Sequence, residues 1–514
     1  MPTPSTSAGS RRGIVLLFLG VFTACLIVYL FTMAPGLFGL DSAELAAGAH
    51  TLGIVHSPGS PLYMLAGHVF MRLPFRDRSY GLNLFSGVCS ALCVSCLFLS
   101  LFRITGRPWL SALASGALAF SYYFWAWALV AELYAPHVCF ASVLILLLVL
   151  WSENRRRLVL FLMAFLFGIG MGNHLSLVLL LPGVAWVFLA RGFKPWREPA
   201  TALLACGAGL LGLSVYLYLP WRHACHPPMD YVRDYFPGVN LATPSGLWWM
   251  VSGRMFEPLF FSVPPARWPE EVWTFVRNSV SNFHVVGMSL GLLGLFAGFR
   301  RHRSLTVGLV IMYAGSAVFF LSYGAIDKAW MFGVTHLIWS IWLGIGAHAL
   351  ARSLERNKHA FLKGLPCLLL AAHVSGGLIF NWRKVDVSED RSARHTGEAL
   401  MRAMALDGWF FGLWEDAPIL EYLQLVEQKR PDITIRNLVF LGPERGRAAA
   451  RAALNDGRPV YTSAKHLLAE EGLFFGSCHI GVDNVKLYRV GLAEVRKPPG
   501  ARSEGDSSSE NSEE

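Results

Sequence analysis

The chain has 514 residues, of which 54% are apolar and only 15% charged, with a mean hydropathy of +0.44. Soluble domains carry about 25% charged residues, so composition excludes an ordinary soluble protein and points to a polytopic membrane protein. The net charge of +10 is no nucleic-acid signature. Its basic residues sit in short clusters between apolar runs, without aromatic interleaving, as topology-setting charge does; no nucleic-acid partner is expected.

Arg11 and Arg12 precede the apolar run 13–32, which reads as an uncleaved first span. Further runs lie at 82–102, 109–129, 135–151, 158–172, 174–190, 201–219, 280–299, 304–323, 331–350 and 364–380, about eleven spans in all. The loops sort by charge. One side holds Arg103 and Arg107, Arg155 to Arg157, Arg191, Lys194 and Arg197, Arg300, Arg301 and Arg303, and Arg352, Arg356, Lys358 and Lys363. The opposite short connections, "VAELYAPH", "GNH" and "GAIDKAW", hold one lysine. Positive-inside therefore puts the N-terminus in the cytoplasm. The run 61–73 is too short for a span of about 20 residues and reads as a re-entrant or interfacial helix. Arg72, Arg76 and Arg78 then lie outside, near headgroups or an anionic ligand.

Of nine cysteines, Cys89, Cys93 and Cys96 share a helix face with no histidine or carboxylate beside them, so they read as packing residues rather than a zinc site. Cys225 and Cys478 both fall on the outer side, where a disulfide would persist.

From about residue 381 the composition changes. "GWFFGL", "ITIRNLVFL" and "RPVYTSA" read as strands. "DAPILEYLQLVEQ" reads as a helix with Asp416 as N-cap, and "ERGRAAARAALNDG" as another ended by Gly457. The fold class expected is mainly α: a polytopic helical bundle over 1–380, with outer loops 33–80 and 220–279, then a small extracytoplasmic α/β domain over 381–497. Residues 498–514 are acidic, lack apolar side chains and should be disordered.

The stretch "GLDSAELAAGAHTLGIVHSPGSPLYML" places Asp41 and Glu44 just beyond the first span, on one side of a helical turn. "HSPGSP" then breaks the chain, since Pro58 cannot continue a helix and Gly59 permits a tight turn. A carboxylate at this depth is costly unless paired, hydrated or used. Three readings of Asp41 stand: an interfacial N-cap, half of a metal pair with Glu44, or a catalytic base. His56, Glu132, Tyr134, Asn173 and His174 fall at the same ends of their segments, as pocket or structural residues.

This stretch, with "VAELYAPH", "GMGNHLSL", "YLPWRHACHPPMDY", "WWMVSGRMF" and "ILEYLQLVEQKRPDI" in that order, resembles a family of bacterial multi-spanning proteins. That family is related to the animal protein O-mannosyltransferases that modify plexin-type receptors, within the GT-C class. Where the family's turn is similar to His-Pro-Pro-Gly-Tyr-Pro, this chain has His56-Ser57-Pro58-Gly59-Ser60-Pro61. The resemblance implies a glycosyltransferase of the bacterial inner membrane. Its donor would be a polyprenyl-phosphate-linked sugar with its tail in membrane lipid, mannose being the family-led choice. Its acceptor would be a protein Ser/Thr, a lipid or a surface glycan. Asp41 would be general base with Glu44 in support, and His56, Pro58, Gly59, Glu132, Tyr134, Asn173 and His174 would line the pocket. Arg222 and Arg254 would clamp the leaving phosphate. No cofactor is expected, and a metal-independent reaction is favoured because only Asp41 and Glu44 of the first loop lie near one another in sequence. A lipid-linked sugar transporter and a non-enzymatic anchor are the rival classes.

Overall fold

The structure, a computed structural model, describes residues 8–355, 358–482 and 485–492. Arg356 and the acidic tail 498–514 lie outside the described residues. The chain divides into two compact units: Met1–His395 with Glu421–Lys429, and Thr396–Leu420 with Arg430–Glu514.

Among the described residues of the first unit, eight helices are long and apolar enough to cross a membrane: Arg11–Thr32, Arg78–Thr105, Tyr134–Asn154, Pro199–Ala224, Pro265–Arg301, Arg303–Ser322, Gly333–Leu354 and Phe361–Val385. They correspond to eight of the eleven expected runs. Two others form shorter apolar helices, Arg157–Met171 and Leu175–Ala190, as does Pro61–Met71. The run 109–129 is split into Pro108–Ala119 and Tyr122–Trp127, because Ser121 takes an extended backbone between them.

Lipid tails are as apolar as leucine, so helices in a membrane associate by close packing rather than by excluding water. Pro265–Arg301 and Gly333–Leu354 show how. A Cβ added at Gly294 would run into the Trp342 carbonyl, and one at Gly346 into the Leu290 carbonyl. The first of these helices is kinked at His284, whose φ of 50° is not helical. The residues from 285 to 301 still rise about 25 Å, most of a hydrocarbon core of about 30 Å.

Asp77 ties together distant parts of this unit. It caps the Arg78–Thr105 helix through the Ser79 backbone N–H at 3.0 Å. It also accepts from Arg394 at 2.7 Å and from the Tyr422 hydroxyl at 3.0 Å. Arg394 in turn reaches Glu427 at 2.6 Å, and Lys429 pairs with Glu427 at 2.9 Å. Burial alone would raise the Asp77 carboxyl, but Ser79 and Arg394 outweigh it and hold it below the usual carboxylate range.

The second unit is a five-stranded sheet of order β2-β1-β3-β5-β4. β1 (Trp409–Gly412) runs parallel to β2 (Thr434–Asn437) and β3 (Val460–Thr462), while β4 (Leu473–Cys478) and β5 (Leu487–Leu492) form an antiparallel pair against β3. The first three strands start in the expected stretches, but "ITIRNLVFL" stays extended only to Asn437, which caps a short helix Leu438–Leu441, and the hairpin was not foreseen. Gly457 ends the Pro443–Asn455 helix with φ 71°. The expected helix near 416–428 is Ala417–Leu425, and the division of units runs through it after Leu420. All nine cysteines are free thiols, so the Cys225–Cys478 pairing is not formed.

Candidate active site

Helix Asp41–Thr51 is the floor of the site. Every residue from Ser42 to Ala49 is buried, which its alanines and glycine allow by close approach. Ser42 Oγ donates to the Ala131 carbonyl at 2.7 Å, fixing the start of the helix. Arg222 fixes the other end, donating to the carbonyls of Leu52 at 2.7 Å and Thr51 at 3.2 Å. Such carbonyls have no partner within the helix, and a cation there also complements the helix dipole. The cap position is held by Leu40 at φ 56°, with no side-chain cap. Asp41 is the first helical residue, where an anion is favoured by the dipole, and the N-cap reading does not describe it.

Glu44 is fully buried and spends both oxygens on His56. It accepts from the His56 backbone N–H at 2.7 Å and meets His56 Nδ1 at 2.6 Å. Burial pushes the Glu44 carboxyl up, against the pull of His56. For His56, burial works downward, yet Glu44 outweighs it and brings the imidazole up to about 9. At neutral pH the pair is a buried imidazolium facing a carboxylate.

The turn after His56 closes by Gly59 N–H donating to the His56 carbonyl at 2.8 Å. Gly59 has φ 83°, and a Cβ there would meet Leu219 at 2.7 Å. Ser57 donates to the Met250 carbonyl at 2.6 Å and Ser60 to the Asn173 carbonyl at 3.1 Å. Pro58, half-buried, sits between them. Phe256 packs edge-on to His56 with ring centres 5.8 Å apart.

Asn173 donates to the Leu133 carbonyl at 3.0 Å, joining the segments that carry Glu132 and His174. Tyr134 lies against the His174 ring, 5.8 Å between centres. His174 is oriented by Ser176, whose Oγ lies 2.8 Å from Nδ1 and 3.1 Å from Nε2 of His137. Burial and the charge of His56 lower His174 to about 4, so it is a neutral imidazole. Half-buried Glu132 is raised well above the usual carboxylate range, by desolvation first and then by Asp41 and Asp327; its Oε2 has no partner among the described residues. The charge of Asp41 thus bears on Glu44, His56, Glu132 and Asp327 together.

Two expected residues are turned elsewhere. Arg222 works at the far end of Asp41–Thr51, about 15 Å along the helix from Asp41. Arg254 forms an exposed pair with Glu257 at 3.0 Å. Among the described residues no three histidine, cysteine, aspartate or glutamate side chains cluster as a metal site. Asp327, His137 and Ser176 were missed. The first lies in "GAIDKAW", one of the three connections opposite the basic loops; His137 lies in "VAELYAPH", another of them.

Chemically this is a pocket with a carboxylate able to take a proton, a second carboxyl favouring its protonated form, a buried imidazolium and a neutral imidazole. The fold carrying it is that of a GT-C-like multi-pass membrane protein. The chain superimposes on ArnT from Cupriavidus metallidurans bound to undecaprenyl phosphate with a TM-score of 0.58 at 12% identity, covering 96% of this chain and 100% of that one. For the arabinofuranosyltransferase AftD from Mycobacteria the TM-score is 0.50 at 14% identity, over 95% of this chain and 42% of that one. Residues 41–197 match the family described as the Protein O-mannosyl-transferase TMEM260 N-terminal domain. The chain is 32% identical over 232 residues to Protein O-mannosyl-transferase TMEM260 of Mus musculus, covering 42% of this chain and 32% of the mouse protein. With the Dictyostelium discoideum protein of that name it shares 23% over 492 residues, 84% of this chain and 58% of the other. The chain therefore spans less than two thirds of the length of either relative.

Proposed function

We propose that this protein is a membrane glycosyltransferase that moves a sugar, mannose in the first instance, from a polyprenyl phosphate to a hydroxyl of an exported protein. The observation that carries the reading is Asp41 at the head of a buried helix, in a pocket shared with Glu132, Asp327 and the Glu44–His56 pair. The match of residues 41–197 to a protein O-mannosyltransferase domain supports mannose and a Ser/Thr acceptor.

In the proposed step the acceptor oxygen attacks the anomeric carbon while Asp41 takes its proton. A C–O bond forms, the bond between sugar and phosphate breaks, and the electron pair leaves with the lipid phosphate. A hydroxyl is a weak nucleophile at neutral pH, so proton removal during attack is what the carboxylate supplies. The His56 imidazolium offsets negative charge in a pocket otherwise lined by acids. Glu132, in its protonated form, donates a hydrogen bond to a sugar or acceptor hydroxyl. The reaction is proposed to need no metal. The active face is extracytoplasmic and the N-terminus cytoplasmic, in a bacterial inner membrane. A reporter active only outside the cytoplasm, fused after Val385, should score positive; a silent, well-expressed fusion would reverse the orientation.

The deciding assay uses the full chain in detergent with a panel of polyprenyl-phosphate sugars and a Ser/Thr peptide, with and without EDTA. Transfer of mannose that survives EDTA is the expected result. Transfer to lipid or glycan but not to peptide would favour the second reading.

A further inference from the structure

His174 caps the short helix Leu175–Leu180, and the cap fixes which of its nitrogens carries the proton. The Ser176 backbone N–H donates to Nδ1 at 3.3 Å. An amide N–H can only donate, so Nδ1 presents a lone pair. Ser176 Oγ lies 2.8 Å from the same Nδ1. Two lone pairs facing each other at that distance would repel, so the hydroxyl donates there as well. Its oxygen is then free to accept, and Nε2 of His137, at 3.1 Å, supplies the N–H. This leaves Nδ1 of His137 as a bare lone pair, and Nδ1 is the atom of buried His137 that has no partner. The row therefore runs one way, from His137 through Ser176 to His174.

With Nδ1 held as an acceptor, the neutral ring of His174 carries its hydrogen on Nε2. A second proton would have to enter at Nδ1, against two donors already there. His174 is thus a standing N–H donor, neither acid nor base. Its Nε2 lies on the ring edge away from the helix that Nδ1 caps. That nitrogen makes no hydrogen bond among the described residues. The residue is half-buried, and Nε2 is not sealed in. Hydrogen bonds tie this position to the acid pocket. The preceding residue, Asn173, accepts from Ser60 at 3.1 Å, in the turn that follows His56, and donates to the Leu133 carbonyl at 3.0 Å, between Glu132 and Tyr134. Leu62 N–H adds a bond to the Gly172 carbonyl at 3.0 Å.

A neutral donor suits only some groups of the reaction proposed above. The attacking hydroxyl must become richer in electrons, and a hydrogen bond donated to it works against that. The leaving phosphate is charged and calls for a cation. The sugar ring oxygen gains positive character as its neighbouring bond breaks. A sugar hydroxyl, neutral throughout, is what remains. We infer that His174 is a specificity residue that donates its Nε2–H to one hydroxyl of the transferred sugar, with Ser176 and His137 holding its tautomer. This rests on the donor class proposed above.

The test is transfer by the full chain in detergent from polyprenyl-phosphate mannose and from its monodeoxy analogues. One analogue should lower the parent's kcat/KM by about 5- to 100-fold, the range for leaving a donor unpaired. His174→Asn keeps a capping oxygen near the place of Nδ1 but lacks the reach of Nε2. It should lose a similar factor with mannose and nothing further with that analogue. His174→Gln, whose amide N–H reaches about as far as Nε2, should recover part of the loss. A histidine that only caps the helix would leave every analogue penalised in His174→Asn by the same factor as in the parent. That result overturns the inference, while the parent's mannose transfer keeps the glycosyltransferase reading. A parent that moves no mannose from the lipid sinks both. In histidine-labelled protein, the ¹⁵N signals lost in His174→Asn should belong to a neutral ring protonated on Nε2; a proton on Nδ1 would also overturn the inference.

Discussion

Asp41 and His56 carry the two predictions at the scale of single residues. Asn caps helices about as well as Asp, but Leu40 holds the cap here, so Asp41→Asn tests proton transfer rather than capping. The variant should melt like the parent and lose about 10² to 10⁴ in transfer rate, the usual size of a general-base effect. Near-parental turnover by a stable Asp41→Asn protein would remove the base from the mechanism. His56 is raised from its ordinary 6.5 to about 9 in the folded protein. A folded-state value above the unfolded one stabilises fully below the unfolded value and is lost as pH climbs through the folded one. The melting midpoint should therefore decline between about pH 6.5 and pH 9, and His56→Gln should flatten that decline. An unchanged slope in the variant would assign the titration to another group. Asp41 and Glu44 were legible in the sequence as acids behind a span. That Glu44 would turn to a histidine twelve positions later was not, because the cross-chain geometry of a tight turn leaves no periodic trace.

Arg222 shows what an element demands of a residue. In the sequence it is a cation after an apolar run, and a phosphate clamp was one reading of it. In the fold it satisfies two carbonyls at the end of Asp41–Thr51. Arg222→Gln should lower stability by about 1–3 kcal/mol, the cost of leaving such groups unpaired, with the KM for the donor little changed. A tenfold rise in that KM at parental stability would restore the clamp. The spans were legible because apolar runs of that length have few alternatives. The break within 109–129 was hidden, since "FSYYFWAW" is as apolar as a helix, and the hairpin of β4 and β5 was hidden because short alternating segments carry little signal.

At the scale of the whole molecule, the first unit takes in a strip of chain, Glu421–Lys429, from beyond the start of the sheet. Tyr231 hydrogen-bonds Glu421 there, and the Glu44 charge reaches the same tyrosine. Cutting the chain after the last long helix would remove Arg394, Tyr422 and Glu427 along with the sheet, so such a truncation should be unstable rather than merely missing a domain. The tie itself can be measured by a double-mutant cycle. Asp77→Asn and Arg394→Met should each destabilise, and the double variant should be milder than their sum by about 0.5–3 kcal/mol. Strict additivity would mean that the two side chains act independently.

The same tie has a consequence for how the protein is made. Asp77 meets Arg394 across 317 positions and Tyr422 across 345. At about 5–20 residues per second, a ribosome needs roughly 17–70 seconds to travel from the first partner to the last. Through that interval the opening loop is already in the membrane with its carboxylate waiting for a cation not yet translated. The tie at Asp77 is therefore closed late, only once the strip Glu421–Lys429 has been made, and a nascent chain stalled before that strip should be inserted without it.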